Sequence, residues 1–281
     1  MAADACLRAT ARAKVNLALH VIGQRADGYH LLDSLVAFAD IGDGLEVRPA
    51  ETLSISVRGE FADGVPTGET NIVMRAARVL DPERGAAITL TKNLPHGAGL
   101  GGGSADAAAA IRLLSDLWQI PLPAPEALLS LGADVPVCLM GGAARMEGIG
   151  EVLSPVALPP LSAVLINPGI PLATATVFGE NGGRFGTRLP TSLPGFSSAR
   201  EVLGWLIDKR NDLEGAALAL APELGEVLAA MSEQISCYVA RMSGSGSTCF
   251  GLYENREVAE AEAARITAME PEWWVRAVTL S

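Results

Sequence analysis

The sequence predicts an α+β fold in two parts, and three observations carry that expectation. Val15, Leu17, Leu19 and Val21 alternate with Lys14, Asn16, Ala18 and His20, the period of a strand. Gly97, Gly99, Gly101, Gly102 and Gly103 crowd one short stretch and feed Ile111, Leu114 and Leu117/Trp118 at helical spacing. The second half orders strand, two helical regions, two strands, helix and strand, which lays helices on one face of an antiparallel sheet in a ferredoxin-like α+β arrangement. The 281 residues, 49% hydrophobic and 19% charged, suffice for a substantial core in each of two domains. Pro155, Pro159 and Pro160 mark the division, giving an N-terminal α/β domain over 1–155 and a C-terminal domain over 156–281.

Taken in order, residues 7–22 read as a strand, Gly23–Gly28 as a turn, and Tyr29-His30 leads an apolar strand to Phe38. Gly44–Pro49 and Thr52–Arg58 read as a hairpin. Asn71–Glu83 reads as a helix with Ile72, Ala76, Val79 and Leu80 as its buried stripe. A strand over Ala87–Lys92 delivers the chain to the glycine run. The helix that follows spans Ser104–Trp118, with Ser104 as its N-cap. Pro121, Pro123 and Pro125 end it before a short helix at Glu126–Leu131. Gly132–Val137 is a tight segment, and Arg145–Glu151 a turn-rich ribbon. Beyond the division come a strand at Ala163–Asn167, a helix at Thr174–Glu180 and a loop at Asn181–Gly195 that composition marks as mobile. Helices at Ser198–Asp208 and Leu213–Met231, strands at Ser236–Arg241 and Thr248–Tyr253, a helix at Arg256–Met269 and a strand at Trp273–Thr279 complete the chain.

Composition excludes some functions. With 21 basic and 32 acidic residues the net charge is −11, which argues against a nucleic-acid or anionic-membrane surface. The four cysteines show neither C-x-x-C nor zinc-finger spacing, so reduced thiols and no metal site are expected. Neither an apolar signal core nor a run of about 18 apolar residues is present, and a cytoplasmic location is expected.

The glycine run is the strongest functional signal. Bare backbone lets an anion approach several N–H groups at once, and the helix that follows adds its dipole, so Gly97–Ser104 reads as a phosphate site. Gly97-x-Gly99-x-x-Gly102 matches the dinucleotide fingerprint, but the segment near residue 122 is proline-broken where a strand is required. Gly103 stands where a P-loop needs lysine. A phosphate loop whose cation comes from elsewhere remains. Lys14 and Asn16 share one strand face, either as solvated edge residues or as site residues. Tyr29-His30 is either an ordinary strand-end pair or a stack and edge contact for a planar ligand. Asp134 lies in an apolar neighbourhood and must be either structurally satisfied or chemically employed. The turn Gly244-Ser245-Gly246-Ser247 is either a plain hairpin or a second set of backbone donors.

Three segments in this order, Ala13-Lys14-Val15-Asn16-Leu17, Pro95-His96-Gly97-Ala98-Gly99-Leu100-Gly101-Gly102-Gly103-Ser104-Ala105-Asp106 and Met242–Phe250, resemble the motifs of the GHMP kinases. That family is named for galactokinase, homoserine kinase, mevalonate kinase and phosphomevalonate kinase. The resemblance runs from about residue 8 to 279 and implies the two-domain GHMP kinase fold. Gly23–His30, Gly132–Pro136 and Glu147–Glu151 narrow it to members acting on a cytidine diphosphate-linked alcohol of the non-mevalonate isoprenoid route, rather than a homoserine or mevalonate type.

The resemblance implies transfer of the γ-phosphoryl of ATP, bound as MgATP, to the 2-hydroxyl of a methylerythritol moiety. It makes Lys14 and Asp134 the catalytic pair and places Asn16, Tyr29, His30, Thr174 and Phe178 at the substrate, with His30 on the cytosine edge. Residues 95–105 become the ATP phosphate loop, while Asn71 and Lys92 fall where the adenosine pocket begins. Ala105 departs from the family, which often carries a second serine there. The expected partner is the small-molecule substrate alone, with the chain a monomer or weak dimer. No acidic residue is assigned to Mg²⁺.

Overall fold

The computed structural model describes residues 6–233 and 235–281, apart from the side chain of Pro125. The first five residues of the expected N-terminal domain lie outside the described residues. The chain forms two compact units that interleave in sequence: residues up to Ala13, Ile41–His96 and Gly101–Gly141 in the first, and Lys14–Asp40, Gly97–Leu100 and Gly142–Ser281 in the second. Strands β1 (Leu7–Gln24) and β2 (His30–Pro49) contribute to both.

In the first unit the end of β2 pairs antiparallel with β4 (Ala86–Thr91), from Gly44↔Thr91 to Pro49↔Ala86. Strand β4 pairs parallel with β3 (Leu53–Arg58), from Leu53↔Ala86 to Arg58↔Thr91. The expected hairpin of 44–49 with 52–58 is therefore corrected, because β4 sits between them. Parallel neighbours need a crossover, and α1 (Ile72–Leu80) supplies it. Asn71 caps α1, its Oδ1 accepting from Val73 N at 2.8 Å. The buried face of α1 is Val73, Met74, Ala76 and Ala77, one step round from the expected stripe. Helix α2 (Gly102–Trp118) packs on both α1 and the later α4 (Val135–Met140), and its alanines at 105 and 107–110 are buried, small enough for close approach.

Helix α2 spans Gly102–Trp118 and starts before Ser104. Its N-cap is Gly101 at φ 63°, with no side-chain cap bond. A left-handed residue turns the chain abruptly, so the helix begins at once and Ser104 falls inside the first turn. Helix α3 (Pro125–Leu131) follows as expected. The segment after Gly132 holds a further helix, α4 (Val135–Met140), opened by Asp134 and closed by Gly141 at φ 73°. Its brevity and apolar content hid it from a periodicity argument.

In the second unit, Lys14–Gln24 of β1 and the start of β2 flank a turn in which Arg25 N donates to Tyr29 O at 2.8 Å. Strand β5 (Ala144–Gly148) pairs with β2 from Leu32↔Gly148 to Val36↔Ala144, and β6 (Val152–Pro155) pairs with β5. The remaining strands, β7 (Leu161–Asn167), β8 (Cys237–Met242), β9 (Cys249–Tyr253) and β10 (Trp274–Leu280), lie side by side as β10-β7-β9-β8, every pair antiparallel. In strand order of appearance this is 4-1-3-2, the ferredoxin-like arrangement expected.

Helices α5 (Thr174–Glu180), α6 (Ala199–Leu206), α7 (Glu214–Leu220), α8 (Leu224–Ser232) and α9 (Arg256–Met269) complete this unit. The single helix expected over 213–231 is two, because Pro222 cannot continue a helical ladder. Val164, Ile166, Val177, Leu213, Leu224, Val227 and Met231 form the core.

The loop 181–195 lacks regular structure but is tied down, which corrects the expectation of a mobile segment. Arg145 binds Asp33 through Nε and Nη2 at 2.8 and 2.7 Å and donates from Nη1 to Pro190 O at 2.9 Å and Thr191 O at 3.0 Å. Leu189 N donates to Asp33 Oδ2 at 2.9 Å, Gly186 N to Val21 O at 2.7 Å, and the His20 ring meets Thr187 O at 2.7 Å. Glycine and proline content signals loop, but tethering depends on distant side chains.

Candidate active site

The second unit holds one half of the expected site. Lys14 and Asn16 are 4% and 1% exposed, so they are not solvated edge residues. Burying an ammonium requires partners, and Lys14 Nζ donates to Asn16 Oδ1 at 2.9 Å. Asn16 Nδ2 donates to Ser34 Oγ at 2.8 Å, and Ser34 in turn donates to Ala18 O at 2.6 Å. Ser34 went unrecognised in the sequence because nothing marks a strand serine as the orienting partner of a distant asparagine.

The opening of the glycine loop is held in the same unit. Leu100 O accepts from Lys14 N at 2.8 Å, Ala98 O from Thr248 N at 3.1 Å, and Gly99 O from Ser243 Oγ at 2.9 Å. Ser243 Oγ also accepts from Asn16 N at 3.1 Å. The loop carbonyls thus point at β1 and at the second glycine turn. Gly99 sits at φ 72°, and a Cβ there would run into Ser243 O. The turn 244–247 is therefore more than a hairpin connection: it braces the loop. Gly244 packs beside Asn16, whose Oδ1 lies 3.4 Å from where its Cβ would be. Ser245 Oγ meets Thr174 Oγ1 at 2.9 Å. Ser247 Oγ donates to Ile170 O at 2.6 Å and accepts from Asn167.

His30 and Phe178 come together, with ring centroids 4.8 Å apart and planes tilted by 31°. Tyr29 beside them is 59% exposed. Two half-exposed rings and a solvent-facing phenol suit a planar guest, since an aromatic surface gains by stacking and an imidazole edge adds a hydrogen bond.

The first unit holds the other half. Gly101–Ala105 opens α2, and a first helical turn leaves N–H groups without intrahelical acceptors, a geometry that suits an anion. Ser104 Oγ lies 3.4 Å from where a Gly132 Cβ would be, so the helix start adjoins the segment carrying Asp134. Asp134 is half-buried with helical backbone angles, and its carbonyl accepts from Cys138 N at 3.0 Å. Its side chain does not cap α4.

Asn71 and Lys92, expected at the adenosine pocket, have side chains committed within the unit. Asn71 caps α1 and donates to Pro66 O at 2.7 Å. Lys92 Nζ is bound by Asp43 and, at 2.8 Å, by Asp106. Asp43 was not singled out from the sequence. Its position between Gly42 and Gly44 inside a strand was the available signal. His96, in the expected phosphate loop, sets its ring edge-on to Phe61 at 6.4 Å.

Comparison with known proteins fixes the family. The profile for GHMP kinases N terminal domain matches residues 71–142, and that for GHMP kinases C terminal matches 197–271. A curated relative from Cereibacter sphaeroides, named 4-diphosphocytidyl-2-C-methyl-D-erythritol kinase, is 53% identical over 95% of this chain and 96% of its own. This chain belongs to the GHMP kinase family. A relative of the same name from Paramagnetospirillum magneticum is 52% identical over 94% of this chain and 95% of its own. Among solved structures, a 4-(cytidine 5'-diphospho)-2C-methyl-D-erythritol kinase superposes with TM-score 0.79 and 36% identity, covering 98% of this chain and 99% of that one. A homoserine kinase from Cytophaga hutchinsonii, 17% identical with TM-score 0.71 over 99% and 96% of the two chains, shows the shared fold. As a GHMP kinase this chain is an enzyme, and among its described residues no helix is long and apolar enough to cross a membrane.

Proposed function

We propose that this GHMP kinase transfers the γ-phosphoryl of ATP to the 2-hydroxyl of 4-(cytidine 5'-diphospho)-2-C-methyl-D-erythritol. Near-full-length identity to relatives named for that reaction carries the reading. The His30–Phe178 ring pair is its local support, because a cytosine ring needs a face and an edge to bind, whereas homoserine and mevalonate offer no ring. Residues 1–155 then supply nucleotide binding and the base, with 156–281 as the C-terminal kinase domain. The acceptor is a small molecule, and the enzyme acts in the cytoplasm without nucleic acid or membrane.

Each residue has a role that its chemistry allows. Backbone N–H groups of 97–105 hold the triphosphate, with Pro95 and His96 leading in and Ser104 adding a hydroxyl. These loop groups fit an anion because their donors stand at a helix start. Mg²⁺, expected with ATP, would neutralise phosphate charge when bound. Asp43 and Asp106 do not suit it, since Lys92 already occupies both. Asp134 takes the proton of the acceptor hydroxyl, which is a poor nucleophile while protonated. Lys14 steadies the acceptor oxygen by its charge. Asn16 orients Lys14; Tyr29, His30, Thr174 and Phe178 hold the nucleotide-linked acceptor. Asn71 and Lys92 border the nucleoside through the structure they fix.

Two variants test these assignments. His30→Ala is expected to raise KM for the cytidylylated alcohol by about tenfold or more with KM for ATP unchanged, as loss of a stack and an edge bond implies. Equal effects on both substrates would remove His30 from cytosine recognition. Gly99→Ala is expected to raise KM for ATP by about tenfold or more, because a left-handed residue with a Cβ is strained by roughly 1–2 kcal/mol before any collision. A wild-type KM in that variant would dissociate the brace from nucleotide binding.

A further inference from the structure

The phosphate helix stands on a buried charge cluster with an uneven count. Asp43, Lys92 and Asp106 are 0%, 5% and 2% exposed, two carboxylates sharing one ammonium. Asp43 is fully engaged: Oδ2 takes Lys92, while Oδ1 accepts from Asn93 N at 2.6 Å and Leu94 N at 2.9 Å, fixing the backbone that leads into the loop. Asp106 is not. Its Oδ2 accepts from Lys92 at 2.8 Å, but its Oδ1 is buried without a partner. An orphan oxygen is far cheaper on a neutral acid than on an anion.

The cluster lies directly beneath the first helical residue. A Cβ on Gly102 would sit 3.6 Å from Asp43 Oδ2 and 3.8 Å from Lys92 Nζ. Whatever net charge the three groups carry is therefore felt at the helix start that receives the phosphates. Among the described residues no cation besides Lys92 is bonded to Asp106. On elements packed against α2, Arg75 donates to Ser130 O and Arg78 pairs with Glu69; Arg112 of α2 itself donates to Leu139 O, and Asp134 opens α4.

We propose that nucleotide binding at the glycine loop is proton-linked through this cluster: Asp106 takes a proton from solvent when triphosphate docks on α2, so that the cluster passes from net −1 to neutral. The proposal rests on the loop being the ATP site. Burial pushes the Asp106 carboxyl up to about 7 against the attraction of Lys92, and Asp43 pushes it the same way as burial. Lys92 stays protonated: burial lowers its pKa, but Asp106 and Asp43 together outweigh that and raise it. A phosphate anion arriving on the helix start adds a second repulsion and raises Asp106 further. Asp106 acts here as a positioning residue, tuning the potential under the loop without touching nucleotide.

The test is calorimetric titration of MgATP into the full chain at pH 7.5 in buffers of different ionisation enthalpy, without acceptor. The wild type is expected to take up on the order of half a proton per nucleotide. Asp106→Asn, fixed in the neutral state, is expected to bind MgATP with no uptake. KM for ATP should rise between pH 7.5 and 9 in the wild type and stay flat in the variant, a split that loss of packing alone would not produce. Binding with no uptake by the wild type, or equal uptake by both proteins, overturns the linkage and leaves the ATP site standing. Failure of the wild type to bind MgATP overturns both. Should Asp106→Asn not fold, Asp106→Ser replaces it. Wild-type infrared difference spectra must also show a protonated carboxyl band appearing on MgATP addition; its absence counts against the proposal.

Discussion

Asp134→Ala is expected to lower kcat by about 10²–10⁴-fold while KM for ATP stays near the wild-type value. The acceptor is an alcohol, and its proton must leave as the new P–O bond forms. Phosphoryl transfer otherwise depends on positioning and on neutralising charge, tasks assigned here to backbone donors that the substitution leaves intact. Asp134 opens α4 through its backbone, with the carbonyl accepting from Cys138 N, and its side chain does not cap the helix, so alanine keeps that start of α4. Asp134→Asn should behave alike, because the amide keeps the size but cannot accept the proton. Lys14→Ala is expected to lose kcat over the same range, since the acceptor oxygen then lacks the charge proposed to steady it. Steady-state kinetics at saturating acceptor decides. Near-wild-type kcat in Asp134→Ala would remove the base from the mechanism.

The largest expected loss of stability is at Asp33→Ala, about 3–5 kcal/mol. Asp33 is fully buried and holds Arg145 through two parallel bonds, the strong form of an ion pair. Removing the acid leaves a buried guanidinium with the carbonyls of residues 189–191 and one longer ion pair, to Glu147 at 3.6 Å. It also frees Leu189 N, so the tethered loop loses a bond at each end of the pair. Urea denaturation measures the loss. A companion variant replacing both partners by apolar residues of similar size should recover part of it, because no charge is then left uncompensated. A change below about 1 kcal/mol in Asp33→Ala would mean that solvent reaches Arg145.

Much of this architecture was readable from residue patterns. Period-two alternation located β1, and the ferredoxin-like order followed from strand and helix spacing in the second half. The glycine run pointed to the start of a helix, where the structure places α2. Elements were misread where tertiary structure overrides local pattern. Ser104 looked like a cap, but Gly101 in the left-handed region starts the helix earlier. The segments 44–49 and 52–58 looked like a hairpin, but β4, from further along the chain, takes the place between them. The loop 181–195 looked mobile because the groups that hold it, Asp33, Arg145 and His20, are remote in sequence.

At the site, side chains bearing unusual chemistry were visible one by one: Lys14, Asp134, Tyr29 and His30. Their supporting partners were not. Ser34, Ser243 and Asp43 are ordinary residues in ordinary strands and turns, and only the folded chain shows what they orient. Asp106 was visible but ambiguous, since a carboxylate in a first helical turn serves as a cap, a metal ligand or a solvent-facing group equally well.

The most direct measurement of the central claim is product identification with the purified chain, ATP and three separate acceptors: the cytidine diphosphate-linked methylerythritol, homoserine and mevalonate. The account predicts that phosphorus NMR shows a new phosphomonoester on the 2-hydroxyl of the first alone, formed in step with ADP. Transfer to homoserine or mevalonate with comparable kcat/KM, or ADP formation with no phosphorylated acceptor, would contradict it.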